Sequence, residues 1–106
     1  MSEARLHAVL ARYVRERRTL TYGALAAEIG LDGAGRIQRV TSMRERMMEE
    51  DTALRRPLRA AVVLSRRSYG LPARGFFEKA TELGHEIEDP AAFHAAQLSA
   101  LFAMAD

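Results

Sequence analysis

Cysteine is absent from the chain. That excludes a disulfide framework, a thiolate zinc site and a thiol nucleophile, and it fits the expected cytoplasmic location. No apolar run approaches the roughly 20 residues that a bilayer-crossing helix needs, so no membrane partner is expected. The opening stretch MSEARLHAVLARYVRERR is amphipathic and has no small-residue cleavage site behind an apolar core, so a signal peptide is not expected either. There is no internal repeat and no low-complexity segment. Lysine is nearly missing, since fifteen of the sixteen basic residues are Arg. A coding bias accounts for that preference as well as function does.

Catalytic patterns are missing too. His7, His85 and His94 show neither His-x3-His nor His-Glu-x-x-His spacing, so no metal and no cofactor is expected. Ser65, Ser68 and Ser99 lack the strand-to-helix elbow of a hydrolase nucleophile. Gly33-Ala34-Gly35 has neither the Lys nor the preceding strand of a phosphate loop. Glu49, Glu50 and Asp51 read as ordinary exposed carboxylates, and His85-Glu86 as a solvated pair. The expectation is a protein that is not an enzyme.

What is present is enough for one domain with a modest core. The 106 residues are 48% hydrophobic and 28% charged, which is ordinary for a folded protein. Charge is unevenly spread. Residues 1–75 hold fifteen Arg against eight acids, and residues 76–106 hold one Lys against six acids. A basic front suits a polyanion, although scattered surface charge would produce the same count.

Apolar spacing predicts a first helix over residues 3–17, with Leu6, Val9, Leu10, Tyr13 and Val14 on one stripe. Thr21 is a predicted N-cap for a short second helix, with Leu20 and Leu25 as a hydrophobic staple and Gly30 as the C′ stop. Residues 31–35, with two Gly and one Asp, form a turn. A third helix is predicted over 35–50, with Ile37, Val40, Met43 or Arg44, and Met47 inward, and Arg36, Arg39, Ser42 and Arg46 outward. Pro57 ends the helical region, and Leu58 to Ser65 reads as a strand. Arg66, Arg67, Ser68, Tyr69 and Gly70 follow as a basic turn. A fourth helix is expected near 75–83, with Phe76 and Phe77 as core anchors. Asp89 and Pro90 start a last helix that runs to about residue 104.

This order is mainly α with a short β element. It predicts a single winged helix-turn-helix-like domain, with a core over about 3–84 and a C-terminal helix over about 90–104. The segments TYGALAAEIG, PLRAAVV and GLPARGFFEKATELG resemble a group of small bacterial proteins that share a TYG-x-LA helix start, a Pro-Leu strand ending in valines and a G-x-P-x-x-GFF element. That resemblance covers residues 19–84 and implies a fold, not an activity. A weaker similarity links the TYG-x-LA helix to the winged-helix domain of alkyltransferase-like repair proteins. The chain lacks their Pro-Cys-His-Arg or Pro-Trp-His-Arg element, which excludes alkyl transfer and gives no support to lesion binding.

Two readings follow. In the first, the chain binds double-stranded DNA without catalysis, as a small regulator or a component of a mobile element or phage-defence system. Arg36, Arg39, Ser42 and Arg46 would then face the major groove, and Arg66, Arg67, Tyr69 and Arg74 would hold the backbone. In the second, the same scaffold is a protein-interaction module, an inhibitor, adaptor or assembly subunit. The wide apolar face of the last helix would then take a second subunit or another protein.

Overall fold

The computed structural model describes residues 2–105. Helix α1 spans Ser2–Arg15, strand β1 Leu20–Thr21, α2 Tyr22–Glu28 and α3 Arg36–Ala53. A 3-10 turn at Arg59–Val62 runs into strand β2, Val63–Leu64. Helices α4, Arg74–Glu82, and α5, Pro90–Ala103, complete the chain. The fold is mainly helical, with one hydrophobic cluster fed by every helix. No helix among the described residues is long and apolar enough to cross a membrane.

The helix signals act as their chemistry dictates. Thr21 caps α2, its hydroxyl accepting the Ala24 amide at 3.2 Å. Leu20 and Leu25, the staple pair, are both buried. Asp89 caps α5 by accepting the amides of Ala91 and Ala92, with Pro90 in the first turn. Gly30 and Gly84 hold left-handed backbone just past α2 and α4.

The segment from Leu58 departs from the expected strand. Only Val63 and Leu64 pair, in parallel with Leu20 and Thr21. The residues before them coil into the 3-10 turn, in which Ala60, Ala61 and Val62 are wholly buried. Helices α1, α3 and α5 all pack on this turn. Its amides go to separate partners: Leu58 N–H to Gln97 Oε1 (2.8 Å), Arg59 N–H to Asp51 Oδ2 (3.0 Å) and Ala61 N–H to the Leu58 carbonyl (3.0 Å). Cover on all sides explains the unbroken apolar run better than a two-faced strand does.

Asp51 is therefore no surface carboxylate. It is fully buried, where it accepts from the Arg59 side chain at 2.8–3.1 Å and the Arg56 side chain at 3.0–3.2 Å. Its neighbours are engaged as well: Glu49 with Lys79 at 2.8 Å, and Glu50 with Arg56 and Arg59. These links carry α3 to Ala53, past the predicted end. His85 bonds Thr52 Oγ1 at 2.9 Å instead of pairing with Glu86. His94 is buried and its Nε2–H donates to the Ala61 carbonyl at 2.8 Å.

The basic turn is a closed loop. Ser65 N–H donates to the Leu71 carbonyl (2.9 Å), Ser68 N–H to the Ser65 carbonyl (3.2 Å) and Leu71 N–H to the Ser68 carbonyl (3.0 Å). Among the described residues the sheet consists of β1 and β2, so no antiparallel hairpin forms at this turn. The apolar face of α5 is also narrower than expected. Leu101 is buried, Phe93, Leu98 and Phe102 pack on the core, and Met104 at the C-cap is the large apolar side chain left exposed.

Candidate nucleic-acid interface

The parallel pair fixes the geography of the basic residues. Because Thr21 sits beside Leu64, the next residues along each chain, Tyr22 and Ser65, start side by side. The start of α2 therefore meets the start of the basic turn, and the first turns of α3 close the third side. A cleft of about 530 Å³ lies between them, with Tyr22, Gly23, Arg36, Ile37, Thr41, Arg44, Arg66 and Arg67 in its lining. Four guanidinium groups border it and no carboxylate lines it.

Arg36, Arg66 and Arg67 are exposed at the rim. Arg36 Nη1 donates to the Gly33 carbonyl at 3.3 Å, which ties it to the turn before α3. Tyr69 is fully exposed in the same loop as Arg66 and Arg67, with φ at +51°. An aromatic side chain in left-handed backbone is strained, and strain of that kind concentrates at functional sites.

The other expected residues lie elsewhere. At about 100° per residue, Ile37, Thr41 and Arg44 occupy one side of α3, and Arg39, Ser42 and Arg46 lie almost opposite. Arg46 Nε bonds Glu3 Oε1 on α1 at 2.6 Å. Arg74 begins α4, pairs with Glu78 at 3.1 Å and borders a separate depression with Phe77, Ile87 and Pro90. Of the eight predicted residues, the structure thus gathers Arg36, Arg66 and Arg67 in the cleft and Tyr69 in the adjoining loop.

Arg44 is the residue the sequence reading did not assign to the site. It is 3% exposed and lies beneath the cleft. Its Nη1 donates to Tyr22 Oη at 2.7 Å, and its guanidinium carbon stands 5.7 Å from the Tyr22 ring centroid. Nη2 reaches Glu45 at 3.4 Å. The available signal was an Arg on the inward stripe between Val40 and Met47, where an apolar residue is the ordinary choice.

Many carboxylates of the basic half are committed to other cations. Glu28 accepts from Tyr13 Oη at 2.6 Å and pairs with Arg12, and the Tyr13 hydrogen bond, followed by the Arg12 bond, holds its carboxyl below the usual range. Glu50 is lowered chiefly by its hydrogen bond from Arg59. Arg59 is penalised by burial, but its bonds to Asp51 and Glu50 outweigh that and raise it. No group of three or more His, Cys, Asp or Glu that could hold a metal occurs among the described residues.

The sequence matches no family model, and it matches no curated protein and no solved structure.

Proposed function

We propose that this chain is a non-enzymatic, winged-helix-like DNA-binding protein whose interface is the cleft between α2, α3 and the basic loop. The observation that supports this most is the convergence of three elements, the start of α2, the first turns of α3 and the loop at 65–71, on one arginine-bordered cleft without acidic lining. Helix-turn-helix proteins meet a duplex with the first turns of the recognition helix and fix it by backbone contacts from neighbouring elements. Here the closed loop, with Arg66, Arg67 and Tyr69, takes the place a hairpin wing would have.

The test is fluorescence anisotropy of a labelled random-sequence duplex at rising salt. Affinity should fall with log salt at a slope of about 0.9 per neutralised phosphate, giving several units in all. Arg36→Glu, Arg66→Glu and Arg67→Glu should each weaken binding and flatten the slope by about one unit. Arg39→Gln and Arg46→Gln should change it little. The opposite pattern would put the duplex on the solvent face of α3, and absence of binding at low salt would end the DNA reading.

A protein partner on α5 is the second reading. It is favoured by an apolar groove of about 320 Å³ between α1 and α5, lined in part by Ala11, Val14, Leu101 and Met104. Deleting α5 would remove His94, Gln97 and Leu101 from the core, so a point change is the sounder probe. Under this reading wild-type protein self-associates in sedimentation equilibrium and Met104→Asp is monomeric. A monomeric wild type counts against a second subunit there.

A further inference from the structure

The arginine cleft holds a cation that the protein itself leaves under-compensated. Arg44 is almost wholly buried, yet its Nε–H has no hydrogen-bond partner. Its neutral partner is the Tyr22 hydroxyl, and its acidic partner is Glu45, reached only at 3.4 Å with a side chain 41% exposed. Contrast Arg59, which bonds two carboxylates at 3.2 Å or less. A buried guanidinium is costly unless its hydrogen bonds and charge are met, so an evolved core seldom keeps one with so little compensation. Gly75 lies against the same group; a Cβ there would stand 3.4 Å from Arg44 Nη2.

We infer that the cleft is a phosphate-binding site, with Arg44 as the buried anchor and Arg66 and Arg67 as the rim. A tetrahedral oxyanion brings several acceptor oxygens and one to two negative charges, and the planar fork of arginine suits it. Arg66 and Arg67 are exposed at the rim, while Arg44 is held by its bond to the Tyr22 hydroxyl. The site is built without a carboxylate in its lining. This rests on the DNA reading only for the source of the phosphate. On that reading the group is a backbone phosphodiester, and a free phosphate would have the same chemistry.

The experiment is nitrogen–proton NMR of the arginine Nε–H groups in the full chain. It is titrated first with inorganic phosphate against sodium chloride of equal ionic strength, and then with a short duplex. Phosphate should move the Arg44 resonance saturably where chloride does not. Arg44→Met, which replaces the buried charge with an apolar chain of similar length, should keep the fold and abolish that saturable binding. The exposed double variant Arg66→Gln with Arg67→Gln, whose fold is not at stake, should weaken phosphate binding about tenfold. If Arg44→Met does not fold, the double variant decides.

Phosphate shifts equal to those of chloride overturn the inference, as does wild-type phosphate affinity in the double variant. Saturable phosphate binding with no duplex binding supports the site and removes the DNA reading. Duplex binding together with phosphate shifts no larger than those of chloride keeps the DNA reading and overturns this one.

Discussion

Arg17, Arg55 and Tyr69 are the non-glycine residues with left-handed backbone among those described, at φ of 54°, 55° and 51°. Arg17 and Arg55 have a plain structural reason. Each sits at C′ of a helix whose end is closed by two backbone bonds, Arg18 N–H to the Tyr13 carbonyl and Arg17 N–H to Val14 after α1, and Arg56 N–H to Asp51 and Arg55 N–H to Thr52 after α3. Gly30 and Gly84 do the same work after α2 and α4. Glycine marks such a stop in a sequence and arginine does not, which is why the end of α2 was legible and those of α1 and α3 were not. Left-handed backbone costs a non-glycine residue about 1–2 kcal/mol, partly offset by the entropy glycine loses on folding. Arg55→Gly should therefore stabilise the domain by about 0.5–1 kcal/mol, read as a thermal midpoint a few degrees higher. Tyr69 has no helix to close. Tyr69→Gly should gain similar stability yet weaken duplex binding, because an exposed hydroxyl that can donate to a backbone phosphate is lost. Paired measurement of thermal midpoint and anisotropy checks both, and unchanged affinity would remove Tyr69 from the interface.

The 3-10 turn Arg59–Val62 was the hardest element to read. Its apolar letters are those of a strand, and pattern alone cannot tell a residue covered by sheet neighbours from one covered by three helices. The deciding partner, Asp51, looked like one of three adjacent surface acids. Helical phase distinguishes it, because Asp51 falls on the stripe of Val40, Arg44 and Met47 whereas Glu49 and Glu50 do not. The same phase argument exposes Arg44, so both buried charges of α3 were legible by position though not by type. Asp51 locks the turn to α3 through the Arg59 amide and two guanidinium groups. Removing one partner of a buried pair leaves charge and donors unmet. Asp51→Ala should cost about 3 kcal/mol, a large share of the 5–15 kcal/mol that holds an ordinary domain together. Urea denaturation measures it, and a loss under about 1 kcal/mol would mean that Arg56 and Arg59 find water in its place.

Across the whole molecule, the charge asymmetry was legible from composition, but where the charges meet was not. Leu20 pairs with Val63, and that one parallel contact between distant segments brings the TYG start to the basic loop. No local signal encodes a pairing of two residues per strand. The ion pairs show the same long reach: Glu28 joins α2 to α1, Glu50 joins α3 to the 3-10 turn, and Lys79 on α4 bonds Glu49 on α3. Glu28 and Glu50 both have carboxyls lowered in the folded chain, Glu28 by Tyr13 and then Arg12, Glu50 chiefly by Arg59. A folded pKa below the unfolded one means the folded state holds its proton less tightly. The stabilisation is therefore present above the ordinary carboxylate value of 4.5 and is lost as pH falls through the lowered folded values. The thermal midpoint should be level near neutrality and drop once pH passes below about 4.5. Glu28→Gln and Glu50→Gln should each lower the neutral midpoint and make the acid limb shallower, because the proton that destabilises wild type has nowhere to bind. Tyr13→Phe removes the strongest influence on Glu28 and should shift the limb in the same direction while leaving the carboxylate in place. An acid limb unchanged in all three variants would remove Glu28 and Glu50 as the source of the acid sensitivity.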